Sequence, residues 1–435
     1  MSSLPGLYLD HVNGLSGAYA AVCQKLGLDA VLLHSGVARP RSTFDDQFWP
    51  LRIVPHFAHF LPLVEADAVL ELRPGRRPVL HRLVEDNFWE KPAPPPRHAL
   101  SAVDVVESRS HEAMQSALPG PSARVAFIGE DAVAAARLGH ALSTSVALLG
   151  AINETRVHKS AYDLACLAEA NRVAALGHAA VRDAFVDGSA RSELDLHLLY
   201  LQVTAQDDAD TPYKNIVALG EHGATLHHVS YGRDRGPGAT SLLLDAGAAY
   251  LGYASDITRT YVRGSSAEVD AFAQLVAGVD ALQRSLCDEV RVGASYEALH
   301  DRAHEHVARV LAEAGILRGS VDEGVARGVT RAFLPHGLGH SLGITCHDVG
   351  CALKKPRIDN PFLRNTRDIE VDQVFTIEPG IYFIPGMLAP LRADDRASLV
   401  DWKLVDTLAP LGGIRIEDDL HVTPSGVDNL TRAYL

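Results

Sequence analysis

Short apolar runs alternate with helical stretches over about the first 150 residues of the chain. Asp29 to His34, Ala68 to Leu72 and Val125 to Ile128 read as strands, and Gly17 to Leu26 reads as a helix. That alternation predicts a small α/β unit. Pro92, Pro94, Pro95 and Pro96 predict an extended surface loop within it, because proline fixes φ and removes a donor. The pattern changes between Lys159 and Phe185. There Ser160 and Asp163 form a capping box, and Leu164, Leu167, Val173, Leu176 and Val181 approximate one helical face. Ser192 and Asp195 repeat the capping signal, and further helices are predicted near Glu268 to Val290 and Ser295 to Ala314. Strands and turns come between and after them. The expected class is α+β, with a first domain over 1–157 and a second over 158–435. His300, His304 and His306 sit on one of these helices at mixed spacing, which reads as a solvated face.

Composition narrows the function classes. With 435 residues, 47% apolar and 22% charged, the chain has the makeup of a globular protein with an ample core. A formal net charge of −14 and the lack of any Lys/Arg-rich stretch argue against a nucleic-acid partner. No apolar run approaches membrane-spanning length, and the start, MSSLPGLYLDHVNG, lacks the features of a secretory signal. Five scattered cysteines without a CxxC pair fit reduced thiols in a cytoplasm. Cys346 and Cys351 read as small buried or half-buried residues.

The chemistry lies in the second half. In SLLLDAGAAYLGYASDITRTY two strand-like runs flank a turn near Tyr250 to Gly252. With Tyr250 and Leu251 at the turn centre, Asp245 falls opposite Asp256, and both carboxylates point to one face. Two such charges repel unless a cation sits between them. Glu378 follows an apolar run in DQVFTIEPGIYF and should stand at the rim of a buried sheet. In GGIRIEDDL, Arg415 and Glu417 share the polar face of a strand, whereas Asp418 and Asp419 read as surface residues ending it. FLPHGLGHSLGITCHDVG carries His336, His340 and His347, and its glycines make a continuous helix improbable. Four carboxylates with one imidazole balance two divalent ions better than one. An oxygen-rich set without cysteine suits Mn²⁺ before zinc.

These motifs, in the order PYKNIVALGEHGATLHH, LLLDAGAAYLGYASDITRT, PHGLGHSLGITCHDVG, FTIEPGIYFI and GGIRIEDD, resemble those of the pita-bread metallopeptidases, and especially of the bacterial Xaa-Pro dipeptidases, or prolidases. LYLDHVNGL and LDAVLLHSG resemble the amino-terminal domain of that family, so the likeness runs along nearly the whole chain. The resemblance implies a pita-bread catalytic domain with a curved antiparallel sheet and two divalent ions per subunit, with Zn²⁺ or Co²⁺ as alternatives to Mn²⁺. It makes Asp245 a ligand of the first metal, Asp256 and Glu417 bridging ligands, and His340 and Glu378 ligands of the second. It makes His336 and His347 substrate-contacting, Glu378 the proton shuttle, His227 and Tyr213 part of the proline pocket, and Arg364 the clamp for the substrate carboxylate. Arg415 orients the ligands. His228 departs from the pattern, which places an aromatic there. The implied reaction is attack of a metal-bridging hydroxide on the carbonyl before proline in an Xaa-Pro dipeptide, in a cytoplasmic homodimer. Aminopeptidase action on longer Xaa-Pro peptides, organophosphate-ester hydrolysis and a metal-free binding module are the alternatives.

Overall fold

The computed structural model describes residues 3–84, 89, 94–122, 124–189, 192–234 and 238–435. Pro92, part of the expected proline loop, lies outside them. The chain forms two compact units, Met1–Ala165 and Cys166–Leu435. The capping box that suggested a boundary at 157/158 is present: Asp163 N–H donates to Ser160 Oγ at 3.2 Å and Ser160 N–H to Asp163 Oδ2 at 2.6 Å. The helix it starts nevertheless gives its first residues to the first unit, where Tyr162 packs against Tyr8 and Asp163 faces His59.

The first unit holds the strands β1 (Ala30–His34), β2 (Val69–Leu72), β3 (Val79–Leu83), β4 (Asp104–Ser108) and β5 (Val125–Ile128) in one sheet, ordered β4-β3-β2-β1-β5. Pairing is mixed, with β1 parallel to β5 and antiparallel to β2. Around it stand the helices α1 (Leu4–Leu26), α2 (Pro55–Phe60), α3 (His111–Ala117), α4 (Ala132–Arg137) and α5 (Val146–Glu154). Each apolar run read as a strand became one. Leu32, Val69, Met114 and Phe127 form part of the core, since strands covered on both faces read as continuous apolar runs.

The second unit contains most of α6 (Ala161–Asp187), then α7 (Glu193–Thr204), α8 (Ala267–Glu289) and α9 (Tyr296–Glu313). Its strands are β6 (Ile216–Leu219), β7 (Ser241–Asp245), β8 (Ala249–Tyr250), β9 (Tyr253–Ala254), β10 (Thr258–Val262), β11 (Val374–Ile377), β12 (Gly380–Tyr382), β13 (Gly413–Arg415), β14 (Asp418–Thr423) and β15 (Gly426–Asn429). All of their pairings are antiparallel: β10-β7-β6, β11-β14-β15, β12-β13 and β8-β9. Single bridges from Thr258 to Glu417 and from Ser341 to Phe375 tie these pieces together. Helices α8 and α9 cover the sheet with Phe272, Val279, Leu286, Tyr296 and Val307, which pack with Phe375, Ile377 and Ile414. This is the α+β architecture expected, and it leaves the ends of β7, β10, β11 and β14 to converge.

Two expectations fail here. His300 and His304 are each only 2% exposed, because α9 turns them toward the protein interior rather than to water. Asp418 and Asp419 are fully buried, not surface residues. Asp418 accepts from Arg259 at 2.7 Å and Asn429 at 2.8 Å, and Asp419 accepts from Asn171 at 2.8 Å. Distant side chains thus supply the partners that burial demands, which no local pattern announces.

Candidate metal centre

The hairpin of β7 and β10 sets the first two carboxylates. Its tip is Leu251 and Gly252, both at positive φ, rather than Tyr250 and Leu251. Asp245 therefore pairs with Thr258, and Asp256 is displaced from it by two positions along the strand. A shift of two residues preserves the face, so the carboxylates remain neighbours on a diagonal instead of direct opposites. Gly247 is required inside this hairpin, since a Cβ there would come within 2.1 Å of Ser255 O.

His340 and Glu378 come from a second antiparallel pairing. Thr376 N–H donates to His340 O at 2.9 Å and Glu378 N–H to Leu338 O at 2.8 Å, which lays the glycine-rich segment along β11. The segment is irregular, as its glycines suggested, and a Cβ at Gly339 would lie 2.2 Å from Thr376 O. Glu417 stands at the break between β13 and β14, bridged to Thr258 at the start of β10. Strand ends thus deliver Asp245, Asp256, Glu378 and Glu417 to one place. His340 Nε2 lies 3.3 Å from Asp256, 3.7 Å from Glu378 and 3.9 Å from Glu417.

Arg415 reaches the cluster differently from the expectation. Its guanidinium donates to Asp245 Oδ2 at 2.5 Å, to Tyr382 Oη at 2.9 Å and to Thr258 Oγ1 at 3.1 Å. It meets Glu417 only through Thr258, whose hydroxyl donates to Glu417 Oε2 at 2.7 Å. Tyr213 donates to Asp256 Oδ1 at 2.6 Å. Two partners escaped sequence reasoning. The Cys346 thiol donates to Asp256 Oδ2 at 2.9 Å, and Asp419 accepts from the Asp256 N–H at 3.0 Å. The position of Cys346 beside His347 was the one available signal for the first. Nothing local marked the second.

The electrostatics describe a site short of positive charge. Burial, together with the neighbouring Asp256 charge and against the pull of Arg415, raises the carboxyl of Asp245. Burial pushes Glu378 up to about 7, and burial with the charges of Asp256, Glu378 and Asp245 lifts Glu417 well above its usual range. Asp245 Oδ1 is buried without a hydrogen-bond partner. Ionised carboxylates at this density need cations, and a buried acceptor oxygen without a partner is what a metal would satisfy. Asp256, His340 and Glu417 each offer a ligand atom within 4.8 Å of the others. The donor set fits divalent metal ions.

A cavity of about 1190 Å³ opens over this cluster. His336, His347, His227, Arg364 and Tyr213 line it. His336 has both ring nitrogens engaged, Nδ1 with Gly337 O at 2.7 Å and Nε2 with Tyr382 Oη at 2.8 Å. His347 packs edge-on against His340, with ring centroids 4.3 Å apart. Among the described residues, neither the ring nitrogens of His347 nor the guanidinium of Arg364 has a hydrogen-bond partner. His227 faces the cavity, whereas His228 turns away to Glu193, 2.9 Å from its carboxylate.

Residues 165–424 match the family model described as metallopeptidase family M24, and residues 6–147 match that of the Xaa-Pro dipeptidase N-terminal domain. The chain belongs to metallopeptidase family M24. Among its relatives are an Xaa-Pro dipeptidase of Pseudoalteromonas atlantica, 37% identical with 99% of each chain covered, and one of Marinobacter nauticus, 40% identical over 97% of this chain and 96% of the other. The low-pH form of Escherichia coli aminopeptidase P superposes with a TM-score of 0.76 at 26% identity, covering 98% of this M24 chain and 96% of the other. Proline aminopeptidase P II from Yersinia pestis gives 0.74 at 25%, covering 98% and 97%. The fold is the pita-bread fold of these neighbours. M24 membership makes the chain a metallopeptidase, a hydrolase that works with divalent metal ions.

Proposed function

We propose that this chain cleaves Xaa-Pro dipeptides, with Asp245, Asp256, His340, Glu378 and Glu417 holding two divalent ions. The observation that carries the reading is the buried carboxylate cluster, with its unpartnered Asp245 Oδ1, at the floor of a cavity into which an unpaired arginine points. When bound, the ions would supply Lewis acidity and a water acidified enough to act as nucleophile near neutral pH. Mn²⁺ suits the oxygen-rich set, with Zn²⁺ or Co²⁺ as substitutes.

The protein's own groups do the rest. Arg415 holds Asp245 in place and, through Thr258, Glu417. Tyr213 and Cys346 fix the two oxygens of Asp256. His347, with free ring nitrogens, donates to the developing oxyanion. Glu378 carries the proton to the departing proline nitrogen. His336, tied to Tyr382 and Gly337, shapes the cavity wall instead of donating, and His227 lines the side taken by the proline ring. Arg364 pairs with the terminal carboxylate, a task suited to a planar fork of donors. That pairing favours dipeptides, because a longer peptide carries its carboxylate beyond reach.

The free state of all five cysteines supports a reducing cytoplasm, and among the described residues no helix is long and apolar enough to cross a membrane. The homodimer rests on the family likeness. Turnover of an Xaa-Pro dipeptide and the matching tripeptide, compared with Mn²⁺, Zn²⁺ and Co²⁺, tests the reading. Dipeptide cleavage should dominate, and Arg364→Ala should raise KM for the dipeptide about tenfold or more, the scale of a charge-assisted hydrogen bond. Unchanged dipeptide kinetics in Arg364→Ala, with faster tripeptide cleavage, would replace the dipeptidase with an aminopeptidase.

A further inference from the structure

A second cluster of metal-ligating side chains stands apart from the carboxylate site. Glu193 opens α7, directly after the capping Ser192, and its carboxylate is only 2% exposed. Four donors converge on it. His222 Nδ1 lies 2.6 Å and the Leu219 N–H 2.9 Å from Oε1, while His228 Nε2 lies 2.9 Å and the Gly232 N–H 2.7 Å from Oε2. The two imidazoles stack, with centroids 4.3 Å apart and planes 25° from parallel. Their ligand atoms and a Glu193 oxygen all fall within 4.8 Å of one another.

We infer that Glu193, His222 and His228 form a third metal site, selective for zinc-like ions. The chemistry of the set differs from that of the carboxylate cluster. Two imidazoles and one carboxylate are the donors of an open zinc site, and they favour Zn²⁺ over the Mg²⁺, Ca²⁺ and Mn²⁺ that oxygen-rich sites hold. For a cation to enter, the proton on His222 Nδ1 and that on His228 Nε2 shift to the other nitrogen of each ring, leaving a lone pair at each donor. The 2.6 and 2.9 Å contacts to Glu193 then open to admit an ion about 2.0–2.2 Å from its ligands. The Leu219 and Gly232 amides hold the carboxylate from outside, the support that metal-binding carboxylates ordinarily have. The His222 ring is 47% exposed, so a fourth position opens to water. A Cβ at position 232 would come within 3.2 Å of Glu193 Oε2, so glycine there keeps the carboxylate's surroundings clear.

The site adjoins the cavity: His228 follows His227, which lines it. An ion bound by His222 and His228 fixes both ends of the segment that presents His227.

Zinc binding to chelator-stripped full-length protein, read by competition with a chromophoric chelator, tests the site without reference to peptide turnover. The Asp256→Asn, Glu417→Gln double variant removes the carboxylate site and should still bind one Zn²⁺. Adding His228→Phe should weaken that ion about 10- to 100-fold or more. His222→Gln, at a ring 47% exposed, should weaken it similarly. No Zn²⁺ in the double variant, or equal binding with and without either histidine, overturns the third site. Either result leaves the dipeptidase reading untouched, while absence of dipeptide turnover in the wild type would sink that reading and leave the zinc count standing.

Discussion

The carboxylate cluster and the histidine pair on α9 are both buried polar groups with unsatisfied atoms, and the protein treats them in opposite ways. In the cluster, Asp245 Oδ1 lacks a partner and the carboxyls of Asp245, Glu378 and Glu417 are raised by burial and by one another. On α9, Nδ1 of His300 and Nδ1 of His304 lack partners, and burial, reinforced by Arg331, lowers the rings to about 4 and about 3. The histidines escape the cost of burial by remaining neutral. The carboxylates have no such exit while they serve as ligands, so their charge must be met from outside. Burial favours the neutral form in both places, but only the carboxyls gather around a shared point where giving up their protons to cations restores the balance.

The contrast breaks most severely if a shared ligand is removed. Asp256→Ala or Glu417→Ala should abolish metal retention and lower kcat/KM by about 10³-fold or more. Elemental analysis alongside turnover checks this, and full metal content with retained activity contradicts the ligand assignment. A smaller effect is expected at Arg415, which supports Asp245 without entering the cluster. Arg415→Met should weaken metal affinity about 10- to 100-fold, measured by chelator competition. An unchanged affinity would make the arginine a packing residue only.

The smallest effect sharpens the other side of the contrast. His300 and His304 face Arg331, Glu297, Asp301, Arg357 and His336. Their folded pKa values lie below the unfolded value of about 6.5. The unfolded chain therefore takes up protons first as pH falls, and stability present above pH 6.5 is lost between there and about pH 4. Each ring should contribute a slope of about 1.4 kcal/mol per pH unit in that window. Urea unfolding of His304→Leu at several pH values should show a shallower loss than the wild type. Parallel curves would mean the ring is not held neutral.

What the sequence disclosed follows from the range of the forces involved. Strands β1, β2 and β5, the capping box at Ser160 and the convergence of Asp245 with Asp256 are written in local periodicity and turn chemistry. The hairpin was misplaced by one position at its tip, yet the face survived because side-chain direction repeats every two residues. The burial of Asp418 and Asp419 was not legible, since Arg259, Asn429 and Asn171 lie far away in sequence. His300 and His304 are a different case, since Ala303, Val307 and Leu311 share their face of α9 at helical spacing and already pointed it inward. Glu193 was not singled out between the capping residues Ser192 and Asp195, and its histidines arrive from a loop about 30 residues on.

The most direct test of the account is reconstitution of chelator-treated protein with Mn²⁺, following cleavage of an Xaa-Pro dipeptide as metal is added. The account predicts negligible turnover without metal and a rise that saturates near about two equivalents per chain, with no recovery in Asp256→Ala. Full activity after chelation, or full recovery in that variant, would contradict it.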